Sequence, residues 1–331
     1  MAVKKTSNDI FLELSDAIEC WFDLHIEKAT PINRGYLNLK WKIQTEKGIY
    51  VIKQISRERY ASHDFEKIKL EQDFALREQV RQQENGTLCP RVLIHDNHVI
   101  HKTSGEERFV MMEFEEGDNF FPGTLNENQM YSLGQMTGHM HTVSNGGVHP
   151  RDKTPQFKPP KVEERLNHWN EVYAAVEEDD DLVEMVAVQM NATERFQLDC
   201  LHTCETGWAH RDLWVDNLLF HKDQLSSILD FDRFHFDYPE LDIARAIMSG
   251  ALEGNDFHSK SAKAFLEGYQ TKRNLEQGVF ARSLYLLWYL ESPWWIRQTI
   301  NKTRYQEVQF QNEMNWLGEN LYKIDEMFGN W

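Results

Sequence analysis

His210-Arg211-Asp212-Leu213-Trp214-Val215-Asp216-Asn217, followed by Ile228-Leu229-Asp230-Phe231-Asp232, is the stretch on which the reading of this chain turns. The first segment sets Asp212 five residues before Asn217. Phosphoryl transfer needs such a pair, a carboxylate to orient a hydroxyl nucleophile and an amide oxygen to help hold a divalent cation. Between the segments, Leu218-Leu219-Phe220 and Ser226-Ser227-Ile228-Leu229 are apolar runs flanking the polar His221-Lys222-Asp223-Gln224, the pattern of a hairpin. A hairpin would return Asp230 to the Asp212/Asn217 loop. A lone His-x-Asp occurs easily by chance, but this ordered set does not.

Working outward, 331 residues exceed the usual single-domain size, and 41% hydrophobic content supports a large core. A net charge of −17 argues against nucleic acid or an anionic membrane as partner, since either would be repelled. The amino terminus is broken by Asn8, Asp9, Glu13 and Asp16, so neither a signal peptide nor a membrane span is expected. Four cysteines make no disulfide framework and suggest the cytoplasm. Cys200, His202 and Cys204 are close in sequence, but a helix would point His202 away from the cysteines, and no second ligand pair follows.

The pattern predicts a helix over Ile10–Leu24 and strands over Leu39–Gln44 and Ile49–Lys53. A helix over Phe65–Gln83 and strands over Val92–Ile94 and Phe109–Met112 complete a sheet of about five strands. Helices dominate afterwards: 128–141, 161–178, 182–204, 241–250, 259–269, 278–291 and 308–327. The acidic run at 177–181 reads as a solvated helix end. The expectation is an α+β fold of two lobes. Residues 1–115 would form a small antiparallel-sheet lobe that binds nucleotide, 116–125 a linker, and 126–331 a larger helical lobe for catalysis and substrate.

Charge on nucleotide phosphates calls for a cation, and Lys53 at the end of a central strand supplies one if it points inward. A carboxylate from the next helix should orient it. Glu66, Glu71 and Glu78 are candidates, with Glu71 preferred for its neighbours Leu70 and Phe74. Asn33-Arg34-Gly35-Tyr36-Leu37-Asn38 stands where a phosphate-covering loop belongs, yet it holds a single glycine.

With these residues in view, the chain resembles the aminoglycoside phosphotransferase/choline kinase family, the small-molecule branch of the protein-kinase-like fold. The resemblance implies a nucleotide loop at Gly35 and Asn38, a phosphate lysine at Lys53, and an adenine hinge at Met111–Gly117, where Glu113 and Phe114 lie. It makes Asp212 the catalytic base, Asn217 and Asp230 the magnesium ligands, and ATP with Mg2+ the cofactors. Leu133-Gly134 to His141 resembles the family's lobe-crossing helix, and Phe265 to Tyr269 its Phe-x-x-Gly-Tyr ending. Asp242 falls on an aspartate that buttresses the catalytic loop, although it also reads as a helix N-cap. His210 is expected to pack rather than to transfer protons. Two departures stand out. Arg211 replaces the family's usual glycine, and Asp232 stands where choline-kinase relatives often carry an acid.

The reading is therefore an ATP- and magnesium-dependent transfer of phosphate to a hydroxyl of a small molecule. The alternative is a kinase-like structural or binding protein without turnover, of the spore-coat-associated kind; retention of Lys53, Asp212, Asn217 and Asp230 argues against it. A protein kinase is disfavoured because no Ala-Pro-Glu signature follows Asp230. Acceptors in such a family include homoserine, choline or ethanolamine, aminoglycosides, macrolides, amino sugars and methylthioribose. Asp232, Glu291 and Trp295 are candidate acceptor contacts, because a carboxylate beside aromatic faces suits an amine or a sugar.

Overall fold

A computed structural model of the protein describes residues 5–32, 38–56, 65–147, 153–176 and 179–331. The chain divides into two compact units, 1–117 with 226–232 and 118–225 with 233–331. Contiguous lobes did not allow for this. The segment Ser226–Asp232 groups with the amino-terminal unit, tied there by Ile228 N donating to Leu88 O (2.8 Å) and Ser226 Oγ to Glu116 O (3.2 Å).

The first unit opens with α1 (Ser7–Phe22). Thr6 starts it by a capping box: Asp9 N donates to the Thr6 hydroxyl (3.2 Å) and Thr6 N to the Asp9 carboxylate (2.8 Å). Then come β1 (Ile26–Pro31), β2 (Lys40–Thr45), β3 (Gly48–Ile55), α2 (Phe65–Glu84), β4 (His101–Lys102) and β5 (Arg108–Glu113). The strands form one antiparallel sheet in the order β1-β2-β3-β5-β4. Leu14 and Ile18, one turn apart on α1, pack with Trp41, Ile43, Ile52, Phe109 and Met111. A second cluster joins Ile55 and Val110 to Leu76 of α2. Residues 92–94 were expected to be a strand, but only Val92 bridges, to Met112. The ladder is cut short by a tight turn in which Asp96 and Asn97 are both left-handed, with φ of +47° and +63°.

The second unit holds α3 (Glu127–Asn145), α4 (Val162–Ala175), α5 (Asp180–Arg195), β6 (Gly207–Ala209) and β7 (Leu218–His221). The chain turns at Lys222-Asp223 into β8 (Gln224–Ile228), along which it passes into the first unit. Next are β9 (His235–Asp237), α6 (Pro239–Ala251), the short β10 (Leu252–Glu253) and β11 (Asp256–Phe257), α7 (Ser259–Gln270), α8 (Val279–Trp295), α9 (Tyr305–Asn320) and α10 (Ile324–Phe328). The helix expected over 182–204 breaks at Phe196, which is extended and followed by a 3-10 turn at Leu198–Thr203. The Phe196 ring packs on Tyr285, Trp288 and Tyr289 of α8, so aromatic contacts replace further helix.

Helices α3 and α7 meet through glycine. A Cβ on Gly134 would lie 2.0 Å from Phe265 O, and one on Gly268 2.1 Å from Tyr131 O. Only the absence of side chains permits this approach, and it carries His141 and Tyr269 to a common spot. Among the described residues, no helix is long and apolar enough to cross a membrane.

Candidate active site

In the first unit, Lys53 lies on β3 between β2 and β5, opposite Lys40 and Val110. It is buried, and its Nζ meets Asp230 Oδ1 at 3.1 Å and Asp232 Oδ2 at 2.5 Å. Lys40 adds a second ammonium 3.7 Å from Asp230. Burial alone would lower the Lys53 pKa, but the two carboxylates hold it above the ordinary lysine value, so it stays charged. Asp232 is pushed upward by burial and by the charge of Asp230, against the pull of Lys53. Asp230 takes a left-handed backbone (φ +59°), a conformation aspartate tolerates better than most residues. Both aspartates keep 28% of their side chains exposed.

The carboxylates that meet Lys53 are thus those of Asp230 and Asp232, whereas Glu71 meets Lys67 one turn earlier on α2 (3.7 Å). The physical reason is that α2 turns Leu70 and Phe74, the neighbours that recommended Glu71, toward solvent. Its buried face is shared by Ala75, Leu76 and glutamines, with Gln79 Nε2 donating to Pro90 O (2.8 Å). At the expected hinge, Glu113 N donates to Arg91 O (2.9 Å) and Phe114 N to Ile49 O (3.0 Å). Those two amides already have acceptors, so they are not the free donors that an adenine hinge would offer. Asn38 is buried just before β2. Gly35 lies outside the described residues.

In the second unit, the loop 210–217 buries Leu213, Trp214 and Val215 and leaves Asp212 and Asn217 half-buried. Anchorage of its apolar side chains leaves the two chemically useful ones accessible. Asn217 Nδ2 donates to both the carbonyl and the Oδ2 of Asp212, each at 2.9 Å. The amide nitrogen being turned to Asp212, the Asn217 oxygen is the atom left to serve a cation. His210 is fully buried and accepts from Asp212 N (3.3 Å), as a packing residue should.

Asp242 holds this loop from beneath. It is not an N-cap: Pro239 opens α6 after Tyr238, and Asp242 is the fourth residue of the helix. Its carboxylate accepts from His210 N (2.6 Å), Arg211 N (2.7 Å) and the His141 ring (3.0 Å), and His141 also bonds the Tyr269 hydroxyl (2.9 Å). Burial alone would raise the Asp242 pKa, but the His141 hydrogen bond, nearby positive charge and the His210 amide outweigh it and keep it low. Asn145 clamps the strand leading in, accepting from Trp208 N (2.7 Å) and donating to Trp208 O (3.0 Å). Ser249 Oγ accepts from Val215 N at 2.9 Å.

The acceptor residues suggested for α8 fare differently. Glu291 is buried and ion-paired with both Arg211 and Arg245, so a substrate ammonium would have to displace a guanidinium. Trp288 is core, its Nε1 donating to Gln189 (2.6 Å). Trp295 is half-buried against Phe310, with ring centroids 4.6 Å apart. Arg245, Asp237 and Glu313 escaped the sequence reading. Arg245 left a signal, a lone basic residue inside the otherwise apolar run of α6.

The family model for phosphotransferase enzymes matches residues 28–278. The chain belongs to the phosphotransferase enzyme family. It is similar to a homoserine kinase of Bradyrhizobium sp., 24% identical over 275 residues that cover 81% of this chain and 78% of that one. A homoserine kinase of Rhodospirillum rubrum is 31% identical over 119 residues, covering 35% of this chain and only 37% of that enzyme. Among solved structures, a spectinomycin phosphotransferase in complex with ADP and spectinomycin superposes with a TM-score of 0.63 at 14% identity, covering 95% and 98% of the two chains. The fold is accordingly the α+β protein-kinase-like one.

Proposed function

We propose that this family member uses ATP and Mg2+ to phosphorylate a hydroxyl of a small molecule, with Asp212 as general base. The observation that carries the reading is the Asp212 carboxylate held by Asn217 in a loop pinned from below by Asp242. Asp212 takes the acceptor's proton as its oxygen attacks the terminal phosphoryl group, and ADP leaves. Lys53 neutralises phosphate charge. Asn217 and Asp230 supply hard oxygen donors suited to Mg2+, which takes few protein ligands and the rest from phosphate and water. That ion, when bound, offsets charge on the phosphate oxygens. A reaction drawing on ATP belongs in the cytoplasm.

The two homoserine kinases make a small amino alcohol the first acceptor to try. With Glu291 occupied by arginines, Asp232 and Trp295 remain the candidate acceptor contacts. Incubation with ATP, Mg2+ and a panel of homoserine, amino alcohols, aminoglycosides and amino sugars, read by product mass, tests the reading. A phosphorylated acceptor is expected. Nucleotide binding without phosphorylation of any hydroxyl would favour the binding protein without turnover.

A further inference from the structure

Arg211 stands where the family usually has glycine, and the backbone shows why glycine suits the place. Its φ is +67°, the left-handed region that a side chain disfavours. The side chain is nevertheless buried and held. Nε lies 2.8 Å from Asp237 Oδ2 at the end of β9, and Nη1 lies 3.5 Å from Glu291 Oε1 on α8. The Asp237 contact is close but not aligned as a hydrogen bond, so charge is its main content. Glu291 is bound in turn by Arg245 of α6, and Arg245 by Glu313 of α9 (2.5 Å). The guanidinium also lies over Phe157, 5.5 Å from the ring centroid.

Arg211 is therefore held at both ends, its amide by Asp242 and its side chain by carboxylates on β9 and α8. The next residue is Asp212. We infer that Arg211 is a positioning residue: its ion pairs tether the loop so that the Asp212 carboxylate keeps its place. Glycine would allow the same φ without fixing it. The tether makes Glu291 and Asp237, neither of which meets Asp212, determinants of turnover. The chain of charge extends to three helices, so the loop is tied to the interior of this unit. The inference rests on the proposed role of Asp212.

The test is the charge-balanced pair R211G/D237N, which removes the ion pair whole and puts at 211 a residue suited to its backbone. D212N serves as control. Turnover should fall about tenfold to a hundredfold, the cost of a small misplacement, with the Michaelis constant for ATP within about twofold. Melting should stay near wild type, and amide exchange at His210 should quicken. R211K, which keeps the cation, should retain more turnover than the pair. Wild-type turnover and unchanged His210 exchange in R211G/D237N would overturn the tether, as would a loss of activity matched by loss of folded protein. If D212N itself keeps full turnover, the assignment of Asp212 fails instead, and His210 exchange alone decides whether Arg211 holds the loop.

Discussion

Two charged clusters, one in each unit, contrast in construction. Around Lys53, the carboxylates of Asp230 and Asp232 sit with Lys40 and remain 28% exposed. Around Arg211, the acids Asp237, Glu291 and Glu313 and the base Arg245 are all buried. Lys53 itself is buried, but its carboxylate partners reach water and can exchange partners more readily than fully buried ones. Buried pairs are costly to break because the remaining charge has no water to turn to. The contrast separates two tasks in one protein. In the proposed function the first cluster trades its internal partners for phosphate and cation, and the second holds a loop still.

The largest difference should appear in stability. Glu291→Ala removes the carboxylate shared by the buried Arg211 and Arg245, leaving them Asp237 and Glu313 respectively. It should destabilise the fold by about 3–5 kcal/mol, whereas Asp232→Ala leaves Lys53 its Asp230 partner and should cost less. Urea unfolding of both variants reads this, and equal losses would erase the contrast.

Lys53→Ala should lower ATP-dependent turnover by about 10²–10³-fold, the scale of losing one charge that stabilises the transition state. Circular dichroism and melting should remain near wild type, since the two aspartates can be solvated. Collapse of the fold with activity per folded molecule intact would make Lys53 structural.

Asn217→Ala and Asp230→Ala should each raise the magnesium needed for half-maximal turnover at fixed ATP, by about tenfold. An unchanged half-saturation in both variants would put the ion elsewhere.

The smallest effect concerns pH. Burial lifts Asp237 from the ordinary 3.8 to about 6, against the opposing charge of Arg211. An acid raised on folding stays protonated in the fold while the unfolded chain ionises. Its contribution therefore falls as pH rises through that window and is level above it. Asp237→Asn removes this group's falling contribution, so between about pH 4 and 6 its melting temperature should climb relative to that of the wild type. An identical slope would show that Asp237 ionises normally.

The hairpin of β7 and β8 was legible because its two apolar runs and the polar turn between them are consecutive in the chain. The family and the α+β kinase-like fold followed; the match over residues 28–278 bears out the family, and the superposition on the spectinomycin phosphotransferase bears out the fold. Long-range partners were not legible. Asp237 and Glu291 lie far along the chain from Arg211, and only packing brings them to it. Glu71 was favoured on apolar neighbours that turn out to face water, Leu70 being 68% exposed. Strand β1 escaped notice because Ile-Glu-Lys-Ala-Thr-Pro at the sheet edge lacks alternation, and β4 because two residues carry no period. Asp242 was placed near a helix start correctly, but Pro239 opens the helix and frees Asp242 to bind the loop.

The central claim is that Asp212 removes the acceptor's proton, and Asp212→Asn tests it most directly. Turnover and ATP affinity should be measured on the same preparation, the latter by calorimetry with magnesium. The account predicts that turnover drops by roughly 10²–10⁴-fold, the range for losing a positioned base, while ATP affinity stays near wild type. Full turnover in Asp212→Asn would contradict it.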